Sequence, residues 1–155
     1  MILLDVSFGI FAFIPQGWLF MAFVIFCECY IVSKLLIKKW KNRKIYLSVS
    51  GTNIISGVIG IAASMRMNGG WYLVVWFPWV SSNEINLHYS QARNGLIIFY
   101  IASFIVSVLV ETITNILFLK KDYAKKEIIK ATIIANIVTY AVGSVLLYSY
   151  SFGLL

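Results

Sequence analysis

The stretch from Glu28 to Ser64, ECYIVSKLLIKKWKNRKIYLSVSGTNIISGVIGIAAS, decides how this chain is read once it is laid over Glu111 to Leu147, ETITNILFLKKDYAKKEIIKATIIANIVTYAVGSVLL. Without a gap the two match at seven of 37 positions: Glu28 with Glu111, Leu36 with Leu119, Lys38 with Lys121, Ile45 with Ile128, Asn53 with Asn136, Ile54 with Ile137 and Gly60 with Gly143. Ser56 meets Thr139, and Trp40 meets Tyr123. Apolar segments reach that identity by chance, so the weight rests on the matched Glu, Asn, Ser/Thr and Gly. An ionisable group within an apolar run is costly in a membrane and needs a reason. The expectation is a tandem duplication of a two-helix hairpin.

Composition sets the class. With 61% hydrophobic residues, 12% charged residues and a mean hydropathy of +0.87, a chain of 155 residues lacks the charge to cover a soluble surface. It reads as an integral membrane protein. A helix needs about 20 apolar residues to cross the hydrocarbon core. Four such stretches consume most of the length, which forms a single membrane domain, 1–155, with repeat 1 at about 15–64, an external loop at 65–94 and repeat 2 at about 95–148. The N-terminus carries Asp5 in place of a basic region, so no cleavable signal is expected.

The first apolar segment, about Phe8 to Ile37, is interrupted by Pro15-Gln16-Gly17-Trp18. Proline suits a first helical turn, so the first span is expected to start near Pro15, with Leu3 to Phe13 lying along the surface or continuing through a kink. Span two is expected from Ile45 to about Ser64, span three from Gly95 to Leu119, and span four from about Ile128 to Tyr148. The expected fold is all-α and polytopic, with four spans in two tandem hairpins.

Positive residues give the orientation. Lys34, Lys38, Lys39, Lys41, Arg43 and Lys44 flank the first hairpin tip, and Lys120, Lys121, Lys125, Lys126 and Lys130 the second, against Arg66 and Arg93 beside the central loop. Eleven of the 13 basic residues therefore lie on one side, which the positive-inside rule assigns to the cytoplasm, leaving both termini outside. A bacterial inner (plasma) membrane is the expected location. These short juxtamembrane turns suit anionic lipid head groups rather than nucleic acid. The loop Met65 to Asn94 contains Trp71-Tyr72-Leu73-Val74-Val75-Trp76-Phe77-Pro78-Trp79-Val80, too short to span. It is read as an interfacial segment or, through Trp71, Trp76, Phe77 and Trp79, as a contact surface for a partner protein.

Depth follows from the helical rise of about 1.5 Å per residue. Glu28 lies ten residues before Lys38, Asn53 nine after Lys44, Glu111 nine before Lys120 and Asn136 ten after Lys126, so all four fall near mid-membrane. A carboxyl there is either neutral or hydrogen-bonded to a donor, and the Asn amide, arriving at the same level on the antiparallel helix, is such a donor. Each Glu/Asn pair is expected to clasp its own hairpin or to bridge the two. Ser48, Thr52, Ser56 and Gly60, and their equivalents Ala131, Ala135, Thr139 and Gly143, recur every four residues as a small-residue packing stripe.

Motifs for catalysis are missing from the sequence. Cys27 and Cys29 point to different helix faces and read as apolar filler, and His88 is the single histidine. Neither a catalytic dyad, a metal site nor a cofactor site is expected, and the chain is not expected to be an enzyme.

Glu28 followed by Asn53-Ile54-Ile55-Ser56-Gly57-Val58-Ile59-Gly60, together with Ala135-Asn136-Ile137-Val138-Thr139-Tyr140, resembles the small filament-integrity membrane proteins of filamentous cyanobacteria. The resemblance covers the two repeat cores. It implies a non-enzymatic component of the septal junctions that join neighbouring cells and let small molecules pass. The expected function is therefore a non-catalytic subunit, scaffold or assembly partner of a larger membrane complex, in contact with lipid and with other membrane proteins or copies of itself. The alternative is a small oligomeric channel or transporter for protons, cations or small solutes that uses Glu28 and Glu111.

Overall fold

The computed structural model describes residues 15–40, 42–67 and 90–151, and all regular structure among them is helical. Four helices follow one another: α1 Pro15–Ile37, α2 Arg43–Met67, α3 Ser90–Leu119 and α4 Lys125–Ser151. The surface segment Leu3 to Phe13, the aromatic segment with Trp71, Trp76, Phe77 and Trp79, Lys41 and His88 lie outside the described residues. α1 is described from Pro15 onward, and α2, α3 and α4 run beyond the expected spans, α3 by five residues at its start. Hydropathy marks only the part matched to a bilayer, whereas a helix continues until its terminal N–H and C=O groups find other partners.

Among the described residues, three helices are long and apolar enough to cross a membrane: Leu19–Ile37 in α1, Tyr100–Leu119 in α3 and Lys125–Val145 in α4. α2 is of comparable length, 25 residues, but carries Ser48, Ser50, Thr52, Asn53 and Ser56 in its central turns. Its polar residues are the ones turned inward: Ser48, Thr52, Asn53 and Ser56 are buried, whereas Leu47, Ile54, Ile55, Val58 and Ile59 are exposed.

The helices form a ring in which α1 packs on α2 and α4, and α3 packs on α2 and α4. Both tips sit side by side at one end, joined by an ion pair from Lys44 Nζ to Asp122 Oδ2. The first tip is tight. Lys38 takes φ 56° to end α1, a left-handed conformation that costs a non-glycine residue on the order of 1 kcal/mol. Local bonds offset it: Ser33 Oγ donates to Lys39 O at 3.2 Å, Tyr46 Oη donates to Trp40 O at 3.2 Å, and the Trp40 ring meets Tyr30 edge-on. Asn42 then caps α2, its Oδ1 accepting from the N–H groups of Lys44 (2.9 Å) and Ile45 (3.3 Å).

Packing is layered along the bundle. Near the tips, Val32, Ile45, Val49, Leu119, Ile128, Ala131 and Ala135 form an apolar plug with Cys29. Towards the other end, Val24 and Tyr140 pack with Phe20, Tyr100 and Phe104. Between the two lies a polar layer. Among the described residues thirteen polar or charged residues are buried against eleven apolar ones, while large apolar side chains cover the outside of all four helices. That sorting is the reverse of a soluble bundle and suits a lipid exterior.

Candidate functional site: a crossed carboxyl clasp

Glu28 on α1 and Glu111 on α3, on opposite corners of the ring, both turn into the polar layer, where they are 2% and 1% exposed. Asn53 Nδ2 donates to Glu28 Oε2 at 2.9 Å, and Asn136 Nδ2 donates to Glu111 Oε2 at 2.7 Å. These bonds clasp α1 to α2 and α3 to α4. The remaining carboxyl oxygens bond to the other neighbouring helix in the ring. Thr139 Oγ1 on α4 donates to Glu28 Oε1 at 2.8 Å, and Ser56 Oγ on α2 donates to Glu111 Oε1 at 3.2 Å. α2 and α4 each serve both carboxyls, so the four bonds gather Glu28 and Glu111 into one buried layer. Of the two arrangements expected for the Glu/Asn pairs, the structure contains the first, each pair joining consecutive helices, while the bridge between the two helix pairs is made by the hydroxyls of Ser56 and Thr139.

Helix geometry explains why these side chains converge. Asn53 and Ser56 are three residues apart, and so are Asn136 and Thr139, so each Asn and its hydroxyl share a face. The second hydrogen of each amide is taken by its own helix, Asn53 Nδ2 donating to Val49 O at 2.9 Å and Asn136 Nδ2 to Thr132 O at 3.2 Å. The amide planes are thereby held, and Asn53 Oδ1 and Asn136 Oδ1 are left buried without a partner. The small-residue stripe lies at the same contacts: Ser48, Thr52, Ser56, Gly60, Ala131, Ala135, Thr139 and Gly143 are all buried. Lys38, Lys39, Arg43, Lys44, Lys120, Lys121, Lys125 and Lys126 are exposed at the tips.

Asn115, Thr132, Tyr100, Ser107 and Tyr140 escaped the sequence reading as members of the layer. Asn115 accepts from Ser48 Oγ at 2.9 Å and donates to Thr132 Oγ1 at 3.2 Å, so one side chain ties α2, α3 and α4. Tyr140 shares a 3.0 Å hydrogen bond with Ser107, and its backbone carbonyl accepts from Tyr100 Oη at 2.6 Å. A signal existed: Ser103, Ser107, Glu111 and Asn115 recur every four residues along α3, and all four are buried. The repeat overlay hid them, because Asn115 aligns with Val32 and Tyr140 with Gly57.

Chemically, the layer can accept positive charge and can hold helices in register. Among the described residues no group of three or more His, Cys, Asp or Glu side chains is placed to hold a metal ion. Cys27 and Cys29 are both free thiols, and Cys29 lies 3.7 Å from the Tyr46 carbonyl and from Ser50 Oγ. No protein-family model, no curated protein and no solved structure matches the chain.

Proposed function

We propose that this protein is a non-catalytic integral membrane protein, four spans in two tandem hairpins, that serves as a subunit, scaffold or assembly partner of a larger membrane complex. The observation that carries the reading is the crossed clasp. Its polar groups are spent on joining helices, and the outer faces are left as apolar surface for lipid and for other membrane proteins. The tandem arrangement is supported by the hydrogen bonds themselves. Adding 83 to each residue number turns Glu28–Asn53 into Glu111–Asn136, and the cross-hairpin donors Ser56 and Thr139 differ by the same 83. α2 serves as the fourth span because its polar residues are screened from lipid by the neighbouring helices. The two basic tips face the cytoplasm of a bacterial plasma membrane, with both termini outside. A junction complex between cells is one setting for such a subunit, in line with the resemblance of its repeat cores.

The test is purification of the tagged chain in a gentle detergent, followed by mass spectrometry and particle-mass determination. A defined set of larger partners supports the reading, and replacement of both Trp76 and Trp79 by Ala is expected to release them. A homo-oligomer without partners overturns it in favour of a pore. The pore reading has one observation on its side, the burial of two carboxyls in one polar layer of the bundle.

A further inference from the structure

The polar layer holds more hydrogen-bond acceptors than donors. Glu28 and Glu111 bring four carboxyl oxygens, and Asn53 and Asn136 bring two amide oxygens that have no partner, on side chains that are 0% exposed. Each Asn spends one of its two N–H donors on its own helix, and each hydroxyl carries one proton to share among several acceptors. Ser56 Oγ lies 3.2 Å from Glu111 Oε1 and 3.0 Å from Asn53 O. Thr139 Oγ1 lies 2.8 Å from Glu28 Oε1 and within 3.2 Å of the Ala135 and Asn136 carbonyls. Both hydroxyls can therefore turn between a charged carboxylate and the helix backbone. When a carboxyl is neutralised, the hydroxyl bonds its own helix and presents lone pairs to whatever has bound.

Positive charge is what the layer lacks. Every lysine and arginine whose side chain is described is exposed. Glu28 meets Asn53 from α2 and Thr139 from α4, Glu111 from α3 is buried in the same layer, and the thiols of Cys27 and Cys29, next to Glu28 on its own helix, turn to other faces. Tyr140 turns towards Tyr100, Phe104 and Ser107. Two ionised carboxyls gathered by interlocking bonds into one buried layer repel with little screening, and neutralising one of them removes the repulsion. Two carboxyls with neutral amide and hydroxyl oxygens beside them are hard oxygen ligands, which favour a proton or a hard cation over a transition metal.

We propose that the Glu28–Glu111 pair is a monovalent-cation site, holding one exchangeable proton or one alkali-metal ion at the centre of the bundle, and that its occupancy locks the two hairpins together. The site needs only the bundle, not the partners of the preceding section, and it deepens that reading by making the scaffold's closure responsive to ions.

The experiment is infrared difference spectroscopy of the purified full-length protein, in the carboxyl and carboxylate stretching regions. Spectra are taken from about pH 5 to about pH 9, and at fixed pH with NaCl exchanged for choline chloride at equal ionic strength. Melting temperatures are measured in the same buffers. The expected result is a carboxyl band that changes over a one-proton curve about two pH units wide, accompanied by a shift in melting temperature. Both are expected to be lost in Glu28→Gln and in Glu111→Gln. Bands that follow pH and ignore Na⁺ identify a proton; bands that also change with Na⁺ identify an alkali ion. Spectra flat against both overturn the proposal. So does a wild-type response that the Gln variants reproduce in full, and if those variants fail to fold, the wild-type spectra alone decide.

Discussion

Thr139 donates a 2.8 Å hydrogen bond to Glu28, a partner 111 residues earlier in the chain, and Ser56 completes the reciprocal bond to Glu111. These two hydroxyls tie the first helix pair to the second through the polar layer. Interhelical polar bonds of this kind contribute roughly 0.6 to 2 kcal/mol each. Thr139→Val keeps the shape and removes the donor, so it should destabilise the bundle by about that amount, whereas Thr139→Ser should not. Thermal unfolding in a fixed detergent checks this; equal melting temperatures for Val and Ser would sink the cross-hairpin role.

Asn53 and Asn136 lie on opposite corners of the ring, yet the helix of each bonds both carboxyls. Asn53→Leu and Asn136→Leu should therefore not act independently. Sites that share a network couple by about 0.5 kcal/mol or more, while unconnected sites add to within a few tenths. A double-mutant cycle reads the coupling directly, and strict additivity would show that the two clasps are separate.

The Lys44–Asp122 ion pair joins the tips, but its side chains are 52% and 41% exposed. Solvent screening reduces such a pair to less than about 1 kcal/mol. Asp122→Asn should leave the melting temperature almost unchanged, and the small effect should vanish in high salt. A large loss would mean that the tips, rather than the polar layer, hold the hairpins together.

The basic tips are expected on the cytoplasmic face. Ala124 is exposed between α3 and α4, and the native thiols can be removed by Cys27→Ala and Cys29→Ala. In that background Ala124→Cys should react with a membrane-impermeant maleimide only after cells are permeabilised. Labelling of intact cells would reverse the topology.

Much of this protein was legible from one dimension. Apolar runs and basic turns place the helices, because a bilayer demands a minimum apolar length and a helix satisfies its own backbone. The recurrence of Glu and Asn at a spacing of 25 identified the clasps, because antiparallel helices of equal rise return a side chain to the same depth. Depth along the membrane normal is a property of residue number. What residue number does not carry is azimuth, the direction each helix turns and the neighbour it meets. Only the ring of four helices decided that Thr139 reaches Glu28 and Ser56 reaches Glu111, and that both carboxyls share one buried layer. The same ring made Asn115 and Tyr140 part of the layer, although the repeat places Val32 and Gly57 at their equivalents. Spacing along the chain set the height of each polar group, and the packing of helices distant in sequence set its partners.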